Sequence, residues 1–94
     1  MRIVWTRRYL AELGEIGDYI GRHNPRAAVR IVQDIHKKTA LLLSANAYLG
    51  RPGQISGTRE LVLPEHSYIV AYRVDDGQVE VLFVQHAARL WPED

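Results

Sequence analysis

A chain of 94 residues, 47% hydrophobic and 24% charged, suffices for one core and not for two, with the balance of a folded globular protein rather than a disordered one. It contains no cysteine, which excludes disulfides, thiolate nucleophiles and cysteine metal sites. The net charge of +1 is unevenly divided, with nine Lys or Arg against four Asp or Glu from Met1 to Gly53 and three against seven from Gln54 to Asp94, so the first half suits acidic partners and the second is a poor binder of phosphate.

Met1 is followed by Arg2 and a short strand-like run instead of the apolar core of a signal peptide. No apolar run approaches the ~18 residues of a membrane span. A single domain spanning residues 1–94, cytoplasmic and away from membranes, is the expectation.

Arg2 to Trp5 is a β-rich run, and Thr6 is placed to cap the helix that follows. From Arg7 to Arg22 apolar residues recur at helical spacing through Leu10, Leu13, Ile16 or Gly17, and Ile20. Asn24 and Pro25 then stop this helix and start another, Asn24 as cap and Pro25 in the first turn where its missing N–H costs nothing. The second helix, Pro25 to Ala45, carries Ala28, Ile31, Val32, Ile35, Thr39, Leu42 and Leu43 on one face. At about 1.5 Å per residue it is about 30 Å long, enough to cross a small sheet.

Asn46 to Ser56 is read as a loop on its Asn, Gly, Pro and Ser content. Arg59 to Leu63, Ser67 to Val74 and Gln78 to His86 are strand-like, the last two joined by Asp75-Asp76-Gly77. Asp-Gly is a strong hairpin signal because a type I′ turn needs positive φ at both central residues. A two-residue loop at Asp76-Gly77 sets Arg73 opposite Glu80 and Tyr72 opposite Val81. Continued without interruption, it also sets Ala71 opposite Leu82, Val70 opposite Phe83, Ile69 opposite Val84, Tyr68 opposite Gln85 and Ser67 opposite His86. Arg73 and His86 then share a face. The fold expected is α+β: an N-terminal strand, then a two-helix hairpin packed on a small antiparallel sheet, in the order β-α-α-β-β-β.

The segments Gly50-Arg51-Pro52-Gly53, Gly57-Thr58-Arg59-Glu60-Leu61, Tyr68 to Arg73 and His86-Ala87-Ala88-Arg89, with Trp91-Pro92, resemble the RelE/ParE superfamily of bacterial toxins. Trp5-Thr6, Tyr19-Ile20 and Asn24-Pro25 with Ala27-Ala28 match the same pattern, so the resemblance covers essentially the whole chain. It implies the toxin of a type II toxin-antitoxin system, neutralised by a cognate antitoxin of ParD-like or similar type and meeting operator DNA only through that antitoxin. ParE-like members inhibit DNA gyrase, whereas RelE-like members cut messenger RNA in the ribosome. The Gly-Thr-Arg-Glu-Leu string and the His-Ala-Ala-Arg end are closer to ParE-like members.

Cleavage of RNA by its own 2′-hydroxyl needs a base, an acid and cations around the phosphorus. The sheet half offers only Arg59, Arg73, His86 and Arg89 for this, with His86 the one group whose pKa suits proton transfer. That set is thin, so Arg59, His86, Arg89 and Trp91 are read as target-binding residues, and no catalytic residue is assigned. Arg59 has a second reading, as an anchor for the Gly50-Arg51 loop. For the antitoxin, Arg7, Tyr9, Tyr19, Arg26 and Arg30 are the candidates, with Arg8, Arg22 and Lys37 nearby; the two tyrosines are expected to be exposed. His23, His36 and His66 lack the spacing of zinc ligands, and neither metal nor cofactor is expected.

Overall fold

The computed structural model describes residues 1–90, with side chains through residue 88. In chain order the elements are β1 (Arg2–Trp5), α1 (Arg7–Gly21), α2 (Pro25–Ala45), β2 (Arg51–Pro52), β3 (Arg59–Leu63), β4 (Tyr68–Asp75), β5 (Gln78–His86) and α3 (Ala87–Leu90). The five strands form one sheet in the order β1-β5-β4-β3-β2. β1 runs parallel to β5 and the other pairs are antiparallel. This is the α+β arrangement the sequence implies, with two additions: β2 lies within the segment read as a loop, and a short helix follows β5.

Both predicted helix starts are capped as expected. Thr6 accepts from the Tyr9 N–H at 3.2 Å, and its hydroxyl donates to the Val81 carbonyl at 2.7 Å, tying the start of α1 to β5. Asn24 accepts from the Ala27 N–H at 3.0 Å, with Pro25 in the first turn of α2. Losing such a cap costs about 1 kcal/mol.

One face of the sheet carries the helices. Tyr9 and Leu13 of α1 and Ile35 and Leu43 of α2 close on Leu61, Leu63, Val70, Tyr72, Val79, Val81 and Val84 of the sheet. The buried stripe of α1 follows the expected Leu13, Ile16, Gly17 and Ile20 and differs only at its first member, where Tyr9 is fully buried and Leu10 is 49% exposed. Tyr9 stacks on Trp5, with ring centroids 5.3 Å apart, and its hydroxyl lies 2.9 Å from His36 Nδ1. Burial raises the Tyr9 phenol far above its ordinary pKa, so the hydroxyl stays protonated and donates to a neutral His36.

Burial also lowers the His36 imidazole below its ordinary value of 6.5, which links stability to pH. The unfolded chain takes up the proton first as pH falls, so the contribution of neutral His36 is present above about pH 6.5 and is lost as pH falls through the lower folded value. Urea midpoints measured from pH 7.5 to pH 5 are expected to fall more steeply for the parent chain than for His36→Gln. Parallel curves would refute the linkage.

The β4–β5 hairpin turns at Asp76 and Gly77, with φ of 48° and 75°, the pair of positive values that the type I′ reading requires. Arg73 opposite Glu80 and Tyr72 opposite Val81 follow as expected, and Val74 faces Val79. A register shift between Ala71 and Tyr72 then leaves Leu82 without a partner of its own. Beyond it Ala71 faces Phe83, Val70 faces Val84, Ile69 faces Gln85 and Tyr68 faces His86. These four pairings replace the uninterrupted ones, and Ser67 lies in the preceding turn with φ of 59°. A bulge of one residue reverses every later side chain. His86 therefore shares its face with Tyr68 and Val70, and Arg73 lies on the other.

Candidate functional site

The residues singled out from the sequence fall in three separate places. The first is the β2–β3 end of the sheet. Arg59 Nη1 donates to the Gly50 carbonyl at 2.8 Å and to the Tyr48 carbonyl at 3.3 Å, and its guanidinium lies 5.1 Å from the Tyr48 ring centroid. Of its two readings, the loop anchor is the one this geometry matches. Next to it Glu60, only 4% exposed, accepts from Arg51 Nε at 3.1 Å and from the Gln54 N–H at 3.3 Å. The Tyr72 hydroxyl accepts from the Gly50 N–H at 2.7 Å. Burial raises the Tyr72 phenol, opposed by that bond and by the nearby Arg59 charge. Together these contacts fix a loop that holds Tyr48, Leu49 and Ile55 about half exposed.

Sequence reasoning did not single out those three apolar residues or the burial of Glu60. Alternation along β3 sets Glu60 and Val62 on one face against Arg59, Leu61 and Leu63 on the other, but it cannot show that a neighbouring loop folds over the carboxylate.

The second place is the far end of the sheet. His86 stands edge-on to Tyr68, with centroids 5.5 Å apart, and its Nδ1 accepts from the Ala88 N–H at 3.2 Å. Arg59 is paired with Tyr72, four residues along β4 from the Tyr68 that faces His86. At about 3.4 Å per residue that separation exceeds 13 Å. Arg73 sits near the hairpin, bonded to Glu80, and Glu80 holds the Arg73 guanidinium more firmly charged. Arg59, Arg73 and His86 therefore do not converge on one point. The side chain of Arg89, and Trp91, lie outside the described residues.

The third place is the outer face of the helix hairpin. Arg26, Arg30, Gln33 and Lys37 follow helical spacing along α2 and are all exposed. The described contacts give Arg26, Arg30 and Lys37 no acidic partner. Beside this row Leu10, Leu13, Val32, Gln33, His36 and Lys37 line a shallow cavity of about 270 Å³. Arg7 is exposed in the first turn of α1. Tyr9, expected on this surface, is instead fully buried because the Trp5 and His36 rings enclose it. Tyr19 is 64% exposed, but it lines a different groove, between α1 and β5. Among the described residues no three His, Asp or Glu side chains are grouped to hold a metal ion, and no helix is long and apolar enough to cross a membrane.

The strand-helix-helix-sheet order, with β1 parallel to the last strand, defines the fold class of the RelE/ParE toxins. The sequence profile described as ParE toxin of type II toxin-antitoxin system, parDE, matches residues 3–91, and the chain belongs to that family. Toxin RelE2 of Caulobacter vibrioides is 38% identical over 89 residues, covering 95% of this chain and 98% of the relative. Y4kP of Sinorhizobium fredii is 47% identical over 92 residues, covering 98% and 94%. Among solved structures, a chain of the chromosomal ParDE toxin-antitoxin system of P. aeruginosa superposes with a TM-score of 0.84 at 31% identity, covering 92% of this chain and 95% of that one. The isolated E. coli RelE toxin superposes with a TM-score of 0.63 at 18% identity, covering 92% and 83%, a likeness of fold alone. A toxin of a type II system implies an antitoxin partner, such as ParD.

Proposed function

We propose that this chain is a cytoplasmic toxin that arrests growth by binding DNA gyrase rather than by cutting RNA. The observation that carries this reading is the dispersal of its cations. A ribonuclease needs its base and its phosphate-stabilising charges within a few ångströms of one phosphorus. Here Arg59 is committed to two loop carbonyls and Arg73 to Glu80, and His86 stands at the other end of the sheet. Among the described sheet residues, such an arrangement suits a protein partner better than one scissile phosphate. The target surface is assigned to the C-terminal end, at His86, Arg89 and Trp91, with Arg59 contributing through the loop it anchors.

The antitoxin is assigned to the outer face of the hairpin. An acidic amphipathic segment would lay apolar residues along Leu10 and the adjoining shallow cavity and set carboxylates against Arg26, Arg30 and Lys37. Arg7 extends the basic rim.

One experiment separates binding from cleavage. The purified protein is incubated in parallel with gyrase and relaxed plasmid, and with translating ribosomes carrying a defined message. Inhibition of supercoiling with an intact message is the expected pair of results. Codon-dependent cutting of the message that His86→Ala abolishes would replace this reading with the nuclease one.

A further inference from the structure

We propose that the outer edge of β1 takes up an extended segment of a partner protein, apolar in its middle and acidic at both ends, as a sixth strand of the sheet. The edge carries this by itself, apart from the gyrase reading.

β1 is the outermost strand of the sheet and pairs on one side only, with β5. A strand's backbone groups point alternately to its two sides. Just past β1 the Thr6 N–H donates to the Val81 carbonyl of β5 at 3.2 Å, so Val4 and Arg2 also direct their backbone groups to β5. Ile3 and Trp5 direct theirs outward. Among the described contacts no hydrogen bond reaches the N–H or the carbonyl of either residue, which leaves two donors and two acceptors at the spacing a neighbouring strand uses. Only Val4 stands between them. A charged side chain within the run is a common guard of a free edge, and Ile3 to Trp5 holds none.

The side chains of Ile3 and Trp5 are only partly buried, packed against the core on the helix side of the sheet. A strand laid beside β1 would extend that cover with its own alternate residues. The ends of β1 select the partner. Arg2 opens the strand and Arg7 follows its end; both are exposed, and the described contacts give neither an acidic partner. Carboxylates at the two ends of the incoming segment would meet them, while its apolar middle lies along Ile3 and Trp5. A second copy of this chain fits less well. The two-fold pairing that uses both outward residues sets Ile3 opposite Trp5 and Val4 opposite Val4, so each Arg2 falls opposite Thr6 and beside Arg7 of the other copy. Like charges then meet at both ends.

The test uses the full chain and two capped seven-residue peptides with a core alternating valine and threonine, one ended by glutamates and one by lysines. Backbone amide exchange is followed by NMR during titration. The glutamate-ended peptide is expected to slow exchange at Ile3 and Trp5, to leave Val4, already directed to β5, as it was, and to bind at least tenfold more tightly than the lysine-ended one. Reversing the ends of the strand with Arg2→Glu and Arg7→Glu together is expected to invert that order. N-methylation of the peptide at alternate amides separates strand pairing from charge attraction, since one set of positions should abolish binding and the other leave it intact. Equal affinities for the two peptides, equal effects of the two methylated sets, or no added protection at Ile3 and Trp5 would overturn the proposal. So would protection of the same amides by concentration-dependent dimerisation, which would make a second copy the occupant.

Discussion

Gly50→Ala is expected to lower stability by about 2 to 4 kcal/mol, the sum of overpacking and a disturbed buried hydrogen bond, and to reduce Tm by more than about 10 °C in a chain of this size. A Cβ at this position would lie 2.6 Å from the Tyr72 hydroxyl and 2.8 Å from the Glu60 carbonyl oxygen. Neither can retreat. Tyr72 is fully buried, with its hydroxyl held by the Gly50 N–H, and the Glu60 carbonyl belongs to the sheet. Thermal unfolding of Gly50→Ala, Tyr72→Phe and the double variant checks the cause. Removing the hydroxyl relieves the shortest of three close contacts, leaving Tyr72 Cε1 and the Glu60 carbonyl each at 2.8 Å, so the double variant should lose less than the sum of the single losses. Gly14→Ala is the control: a Cβ there meets nothing within 4 Å, and it should raise stability by about 0.5 to 1 kcal/mol. Equal effects at the two glycines would remove Gly50 from its role in anchoring the loop.

The second large effect concerns recognition. Reversing charge with Arg26→Glu and Arg30→Glu is expected to weaken binding of an acidic antitoxin segment at least a hundredfold, about 2.7 kcal/mol, and to make the remaining affinity nearly independent of salt. The fold should not suffer, since both side chains are exposed without an acidic partner. Arg26 also lies in the first turn of α2, where the helix dipole disfavours a cation, so a glutamate there is locally favourable by about 0.3 to 1 kcal/mol. Local helix energetics therefore disfavour the basic residue, as expected if the proposed antitoxin contact is what Arg26 serves. Titration calorimetry at two salt concentrations, with Tm measured alongside, reads both halves of this expectation. Unchanged affinity with unchanged Tm would move the antitoxin off this face.

The elements legible in the sequence are those fixed by local chemistry. Thr6 and Asn24 cap helices because a side-chain oxygen reaches a free N–H three residues on. Asp76-Gly77 turns because few other pairs accept two positive φ values. The bulge at Leu82 was not legible, since Val81-Leu82-Phe83-Val84 is apolar throughout and carries no alternation from which a face can be read. Only the first member of the α1 stripe is ambiguous, because Tyr9 and Leu10 each extend the series of Leu13, Ile16 and Ile20 backwards, and the enclosing rings of Trp5 and His36 decide between them. β2 is two residues long and exists because Glu60 and Arg59 are there to pair with it.

The candidate site was less legible than the fold. The loop-anchor reading of Arg59 matches its contacts, but its partners are carbonyls contributed by the chain's path, to which any residue type could have contributed. His86 and Arg73 were expected on one face, and the same bulge separates them. Tyr19 is exposed, as its place on the polar side of α1 implies, yet it belongs to the α1–β5 groove, which no motif marks.

The most direct measurement of the central claim is a gyrase supercoiling assay with purified protein in excess, run with and without its antitoxin. Loss of supercoiling that the antitoxin reverses is the predicted result. Full gyrase activity at excess protein, from a preparation that still arrests growth when expressed, would contradict it.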